Sequence, residues 1–272
     1  AAVQNLAQKD GLEFELRQGI SAGDMGPNWK IVVALPPDPG LESLAASATG
    51  TQFVAIGISG LKPAGNLSVI GPQGWSEDQQ AFLAGTIAAV TTTDWRTGVI
   101  TRQDVPLSDT IQQAFTNGAY YFCGLCNPSA PPFVHYPEYV QIPAGAGQAD
   151  QQAAVDELVK QGVVTIYVPP QIASQELLSY AVQAKVNLIG GETPPDDVRP
   201  HWLATVRADP ASALSNLWPD LLAGKGGASL PMPIVMTDIQ SDLFSPGRQR
   251  VAQQTLDDLI GGWILPGPAP DQ

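Results

Sequence analysis

At 272 residues the chain is long enough for one large domain or two medium ones with well-buried cores. Hydrophobic residues make up 44% and charged residues only 14%, while 27 Gly and 25 Pro promise many turns and little long solvated helix. Thirteen Lys and Arg against 26 Asp and Glu give a net charge of -13, which argues against a nucleic-acid partner, because phosphate binding needs a cationic footprint.

The chain opens at 1–9 with what reads as the end of a helix, apolar at Ala2, Val3, Leu6 and Ala7 and with no N-cap in front. Short β-branched runs at 12–18, 30–35, 52–58 and 66–70 read as strands. A helix rich in Ala and Leu follows at 79–90, then a strand at 98–101. The helix at 108–122 starts on Ser108, a good N-cap, and places Ile111, Phe115, Ala119 and Phe122 on one stripe. Beyond it, strands at 139–142, 163–168, 186–189, 202–206 and 234–237 alternate with helices at 149–160, 174–184, 211–223 and 249–260.

Most of these strands are apolar throughout rather than alternating, so they are covered on both faces, as in parallel doubly wound α/β sheets. There are too many for one such sheet, and two lobes fit better. Lobe 1 is expected at 1–74 and 199–230, lobe 2 at 75–198, with a crossing strand and helix at 231–265 and a frayed tail at 266–272. In a flavodoxin-like strand order the first strand is central. The capless helix at Ala1 then implies that the first strand of lobe 1 lies upstream of this sequence, between the positions of 12–18 and 30–35. No apolar run reaches the roughly 20 residues of a membrane span, and any export signal has been removed or lies outside this sequence.

Both cysteines stand in FCGLCNPSAPPFVHYP (122–137). A redox CxxC belongs at a helix N-terminus, whereas Cys123 and Cys126 lie at a helix C-terminal end, where the macrodipole disfavours thiolate. A zinc site needs four ligands, and the other soft donors are only His135 and His201. The reading is a local disulfide pinning the helix end to the proline-rich loop; free buried thiols and metal or redox work are the alternatives. No metal or cofactor is expected. GxSxG, GxGxxG and GxxxxGK[ST] do not occur, and nothing singles out an acid–base pair, so no enzyme activity is expected.

What remains is geometric. In doubly wound sheets, ligands bind outside the carboxyl ends of the strands, and a cleft between two such lobes would be a small-molecule site. Those ends carry PPDPG (36–40), SGL (59–61), RQDVP (102–106), PPQ (169–171) and GGETPP (190–195). Asp38, Arg102, Gln171 and Glu192 are the polar candidates: Arg102 forks onto a carboxylate or ring acceptor, Gln171 donates and accepts, and Glu192 accepts from hydroxyl or amine groups. Trp29 and Trp75 are the aromatic candidates for stacking, with simple packing as the alternative.

The ordered segments SEDQQAFLAGTIAAVTTTDWRTGVIT (76–101), FTNGAYYFCG (115–124), QADQQAAVDELVKQGVVTIYVPP (148–170), VNLIGGE (186–192) and WLATVRADPASAL (202–214) resemble those of basic membrane lipoproteins. These are nucleoside-type substrate-binding proteins of ABC transporters with the type 1 periplasmic-binding fold. The resemblance implies a two-lobed clamshell, outside the cytoplasm and lipid-anchored, that closes as a monomer on a small polar, nucleoside-like solute and delivers it to a membrane permease. That export setting agrees with a disulfide. Glu192 stands where the family's loop has Asp, and Ala208 replaces a usual Lys if Thr205 matches the family's Ser. A ligand-sensing module signalling to a membrane partner and a hydrolase on an α/β scaffold are the competing functions.

Overall fold

The computed structural model describes residues 1–127, 131 and 133–267. In chain order the elements are α1 (Ala2–Lys9), β1 (Ile31–Ala34), α2 (Leu41–Ser47), β2 (Gln52–Ile56), β3 (Leu67–Ile70), α3 (Glu77–Thr91), β4 (Thr97–Arg102), α4 (Ser108–Cys123), β5 (Glu138–Ile142), α5 (Gln148–Lys160), β6 (Thr165–Val168), α6 (Gln175–Gln183), β7 (Asn187–Gly190), β8 (Trp202–Ala208), α7 (Pro210–Leu222), β9 (Ser229–Leu230), β10 (Ile234–Thr237) and α8 (Pro246–Ile260). The chain divides into two compact units, Ala1–Ser76 with Ala208–Pro233, and Glu77–Arg207 with Ile234–Gln272.

In the first unit the sheet runs β1-β2-β3-β9, each pair parallel. β2 and β3 are buried along their whole length, as apolar strands covered on both faces must be. One face packs on α1 and α7 through Val54, Ile56, Leu214, Leu217 and Trp218. The other packs on α2 through Phe53, Leu67, Leu41 and Leu44. Asn66 Nδ2 donates to the carbonyls of Ala45, Ala48 and Thr51, tying the end of α2 to the sheet.

The second sheet runs β10-β8-β7-β6-β4-β5, with β5, β4, β6, β7 and β8 joined as parallel pairs. Its central helix is α3, buried continuously from Gln80 to Val90. Such a helix has no solvent face, which its run AFLAGTIAAV already lacks. α3 and α4 approach backbone to backbone at two glycines. A Cβ on Gly85 would land on the Phe115 carbonyl oxygen, and one on Gly118 would land on the Phe82 carbonyl oxygen. Thr86 Oγ1 donates across the same crossing to the Gly118 carbonyl, 3.0 Å away.

Several expectations are corrected. Residues 12–18 form no strand and do not pair with β1. A strand needs a neighbour's ladder, and this segment is held by side chains instead. Arg17 pairs with Glu15 at 2.8 Å and Asp24 at 3.4 Å, and its guanidinium lies 4.9 Å from the centroid of the Trp29 ring. Leu16 is left 85% exposed. β8 and β10, expected to rejoin lobe 1 or to cross beside it, belong to the second sheet. Pairing of Leu188 with Trp202 and of Gly190 with Thr205 sets β8 there, and Leu203, Ala204, Val206 and Ile234 fill the core around α3. α2 and β9 were not expected. Of the tail, 268–272 lie outside the described residues, while the Pro266 carbonyl accepts from Asn117 Nδ2 at 2.9 Å.

Cys123 and Cys126 are joined as a disulfide, with Cα atoms 5.1 Å apart. It closes the end of α4, where Gly124 takes φ 73° and its N–H donates to the Tyr120 carbonyl. A cross-link this local removes little loop-closure entropy. Cys123→Ser with Cys126→Ser is therefore expected to cost well under the ~3 kcal/mol of a 15-residue loop. Chemical denaturation of the double variant and of the oxidised protein checks this.

Candidate functional site

Seen from β4, the chain passes to β5 on one side and to β6 on the other, so the second sheet reverses its winding between β4 and β6. In an open α/β sheet the crevice at the carboxyl ends of those two strands is where ligands bind. Arg102 ends β4 and Gln171 follows β6, so the two flank that crevice. Glu192 follows β7, the next strand out. The parallel order thus brings three of the sequence candidates to one end of one sheet.

Each has a distinct setting. Arg102 Nε donates to Asp104 Oδ1 at 2.5 Å, which orients the guanidinium. Gln171 is exposed on the turn between β6 and α6. Next to Arg102, Thr101 is 2% exposed, and its hydroxyl has no partner among the described residues. A buried hydroxyl without a partner is costly in an apolar setting, and its place at the carboxyl end of β4 makes Thr101 a candidate contact for a ligand atom. Tyr167 of β6 pairs in register with Val99, and period-2 alternation puts Val99 and Thr101 on the same face. The Tyr167 ring stacks on Phe115 at 5.8 Å. Burial, with help from the Glu77 charge, pushes its phenol far above the ordinary range, so it stays a neutral hydrogen-bonding group.

Beside this crevice lies a cavity of about 210 Å³ between the start of α6 and the loop after β7, lined by Ser174, Gln175, Leu178, Gly191, Glu192, Thr193 and Trp202 among others. Its walls are braced from behind. Trp202 Nε1 donates to Thr205 Oγ1 at 3.0 Å, and the Thr205 hydroxyl donates to the Glu192 carbonyl at 3.1 Å. Gln175 Nε2 and Ser179 Oγ both donate to the Asp197 carboxylate at 2.9 Å, holding its pKa below the usual value. A Cβ on Gly191 would sit 2.7 Å from Pro170 Cδ, so only glycine lets the loops after β6 and β7 pack this closely.

The other three candidates are in the first unit. Asp38 Oδ1 accepts from the Gly40 and Leu41 N–H groups at 3.0 Å each, capping α2 from the loop after β1. Trp75 lies over Gly57, whose Cβ would be 2.5 Å from the indole Nε1, at the carboxyl end of β2. Trp29 is not with them. It precedes β1, at the amino end of the strand, packed against the α2 side of the core under Arg17. Sequence reasoning missed Thr101, Tyr167 and the Trp202–Thr205 brace. The available signal was a threonine ending the otherwise apolar GVIT (98–101) in a buried strand. No group of three or more His, Cys, Asp or Glu side chains among the described residues is arranged to hold a metal ion.

No protein-family model matches the chain, and no curated protein matches its sequence. Solved structures do match its fold. An ABC transporter solute-binding protein from Conexibacter woesei superposes with a TM-score of 0.70 at 18% identity, covering 97% of this chain and 90% of that one. An ABC transporter solute-binding protein from Aeropyrum pernix gives 0.65 at 13% identity, covering 98% and 88%. A transcriptional activator of the comK gene from Bacillus halodurans gives 0.63 at 14% identity, covering 98% and 94%. Two α/β units with doubly wound parallel sheets, matched over nearly the whole chain by such proteins, are the type 1 periplasmic-binding fold.

Proposed function

We propose that the chain is an extracytoplasmic solute-binding protein that captures a small polar, nucleoside-like molecule and delivers it to an ABC-type membrane permease. The observation that carries this reading is the buried Thr101 hydroxyl, without a partner among the described residues, at the winding reversal of the second sheet, with Arg102 and Gln171 on either side. Polar groups presented together at a rigid sheet end are what a small-molecule site needs. The Cys123–Cys126 disulfide supports a place outside the reducing cytoplasm, and a lipid anchor at the membrane belongs to the same proposal. Resemblance to the Bacillus halodurans activator favours a second reading, a ligand-sensing module acting on a partner protein; both readings require the same solute site.

Thr101→Val tests that site because the two side chains have nearly the same shape. If the hydroxyl serves a solute, removing it leaves the free protein equally stable, or more stable by about 1 kcal/mol, since a buried orphan is gone. Solute affinity falls by about tenfold. Thermal unfolding of both proteins against a library of nucleosides, sugars and other polar metabolites measures both effects. A variant that loses stability and keeps its solute response contradicts the assignment.

A further inference from the structure

α8 carries its charges in the reverse of the order that its own dipole favours. A helix start prefers anions and a helix end prefers cations. Yet Arg248 and Arg250 stand near the start of α8 and Asp257 and Asp258 in its last turn, with no acid in the first turn and no base in the last. Neither arginine has an ion-pair partner among the described residues. Gln254 Nε2 donates to Asp258 Oδ1 at 3.0 Å, so Arg250, Gln254 and Asp258 form one stripe at a spacing of one turn. At the start of that stripe is a surface depression of about 480 Å³, lined by Tyr121 of α4 and by Gly247, Arg250, Val251 and Gln254 of α8. Arg250 Nη2 lies 3.8 Å from where a Cβ on Gly247 would be. At the other end Trp263 packs against Gly261, whose Cβ would be 2.8 Å from the indole Cδ1, and is itself 85% exposed. Exposed large apolar groups of this kind mark interaction surfaces, and Trp and Arg are the residues that most often dominate them.

We propose that this face pairs with the same face of a second copy, α8 lying antiparallel to α8 about a two-fold axis at Gln254. Such an axis exchanges positions equidistant from Gln254. Arg250 therefore meets Asp258 of the second copy, and Gly261 meets its Gly247. Trp263, seated on Gly261, enters the second copy's depression and stacks on the Arg250 guanidinium there, whose edge stays free for the carboxylate. The contact is isologous, so each of these interactions is made twice. The reversed charges that α8 holds at a cost to itself become complementary only in this antiparallel order. Two copies at a net charge of -13 each repel at long range. At about 0.15 M salt that repulsion is screened beyond about 8 Å, while pairs in contact are screened less. The pair replaces the monomer that the family resemblance implies, and it neither needs nor supports the solute-binding reading.

Sedimentation equilibrium of the whole chain, at about 1 to 200 μM protein and about 0.15 M salt, tests this. The expected result is a monomer–dimer equilibrium with Kd of about 10 μM. Trp263→Ala and Arg250→Glu are each expected to weaken it about tenfold or more, the first by removing the anchor and the second by setting like charges face to face. Both positions are exposed, so neither change is expected to unfold the chain. Arg250→Glu combined with Asp258→Arg swaps the two charges and is expected to restore most of the association. A chain that stays monomeric across the whole range overturns the proposal. So does a dimer that survives both single changes, which would place the contact on another face, or a swapped variant no stronger than Arg250→Glu alone.

Discussion

Gly85→Ala is expected to destabilise the second unit by about 3 kcal/mol or more, the upper end of what overpacking costs. The added methyl would collide with a backbone carbonyl, that of Phe115, with the Ala119 backbone nitrogen 3.0 Å away on the next turn of α4. A flexible side chain can rotate away from an intruder, but a carbonyl in mid-helix cannot move without shifting α4 as a body. α3 and α4 are fixed on their other sides by the packed core around Leu83, Ile87, Ile111 and Phe115, so the helices must separate and leave packing voids along the crossing. Gly118→Ala, which meets the Phe82 carbonyl from the opposite helix, is expected to match it. Gly124→Ala is the internal control: nothing lies near its Cβ position, so only its positive φ opposes the change, at about 1 kcal/mol. Denaturant midpoints for the three variants check the ranking. Equal, small losses would show that the two helices do not cross as described.

Trp202→Ala is expected to cost about 3–5 kcal/mol, the range for emptying a buried aromatic site. The indole is 2% exposed and packs with Leu188, Val198 and Leu178. Its loss also leaves Thr205 without its donor, and Thr205 is what fixes the Glu192 carbonyl. The effect should thus appear twice, as lower stability and as weaker solute binding through a loosened 190–193 loop. Trp202→Phe separates the two, since it keeps most of the apolar volume but removes the N–H. It is expected to recover much of the stability and little of the affinity. Thermal unfolding with and without the best solute measures both quantities.

Much of this fold was legible because parallel strands covered on both faces announce themselves as short apolar runs. QFVAI, LSVI, TIYV and NLIG fell where expected for that reason, as did the FLAG-bearing helix. The run LEFELRQ carries as good a strand pattern and forms none. Pattern records what a segment is suited to, while a ladder also needs a neighbour with free N–H and C=O groups, which local sequence does not encode. Membership of β8 was missed for a related reason. Its apolar residues fit either sheet, and the deciding contacts, with Leu188, Ile189 and Gly190, reach back across the Gly- and Pro-rich 190–197 that reads as a boundary. At the site, Arg102, Gln171 and Glu192 could be found because strand ends are readable from sequence. Thr101 could not, since the absence of a partner is a property of three dimensions. Asp38 shows the converse: a polar residue at the right strand end whose carboxylate is engaged in capping α2.

Native mass spectrometry of the protein purified without denaturation tests the central claim most directly. If the crevice at β4 and β6 is a solute site, the native ion carries a small molecule that is released on unfolding, and the Thr101→Val protein carries less of it. A native mass equal to that of the bare chain, unchanged after incubation with extracts containing nucleosides, sugars and amines, would contradict the account.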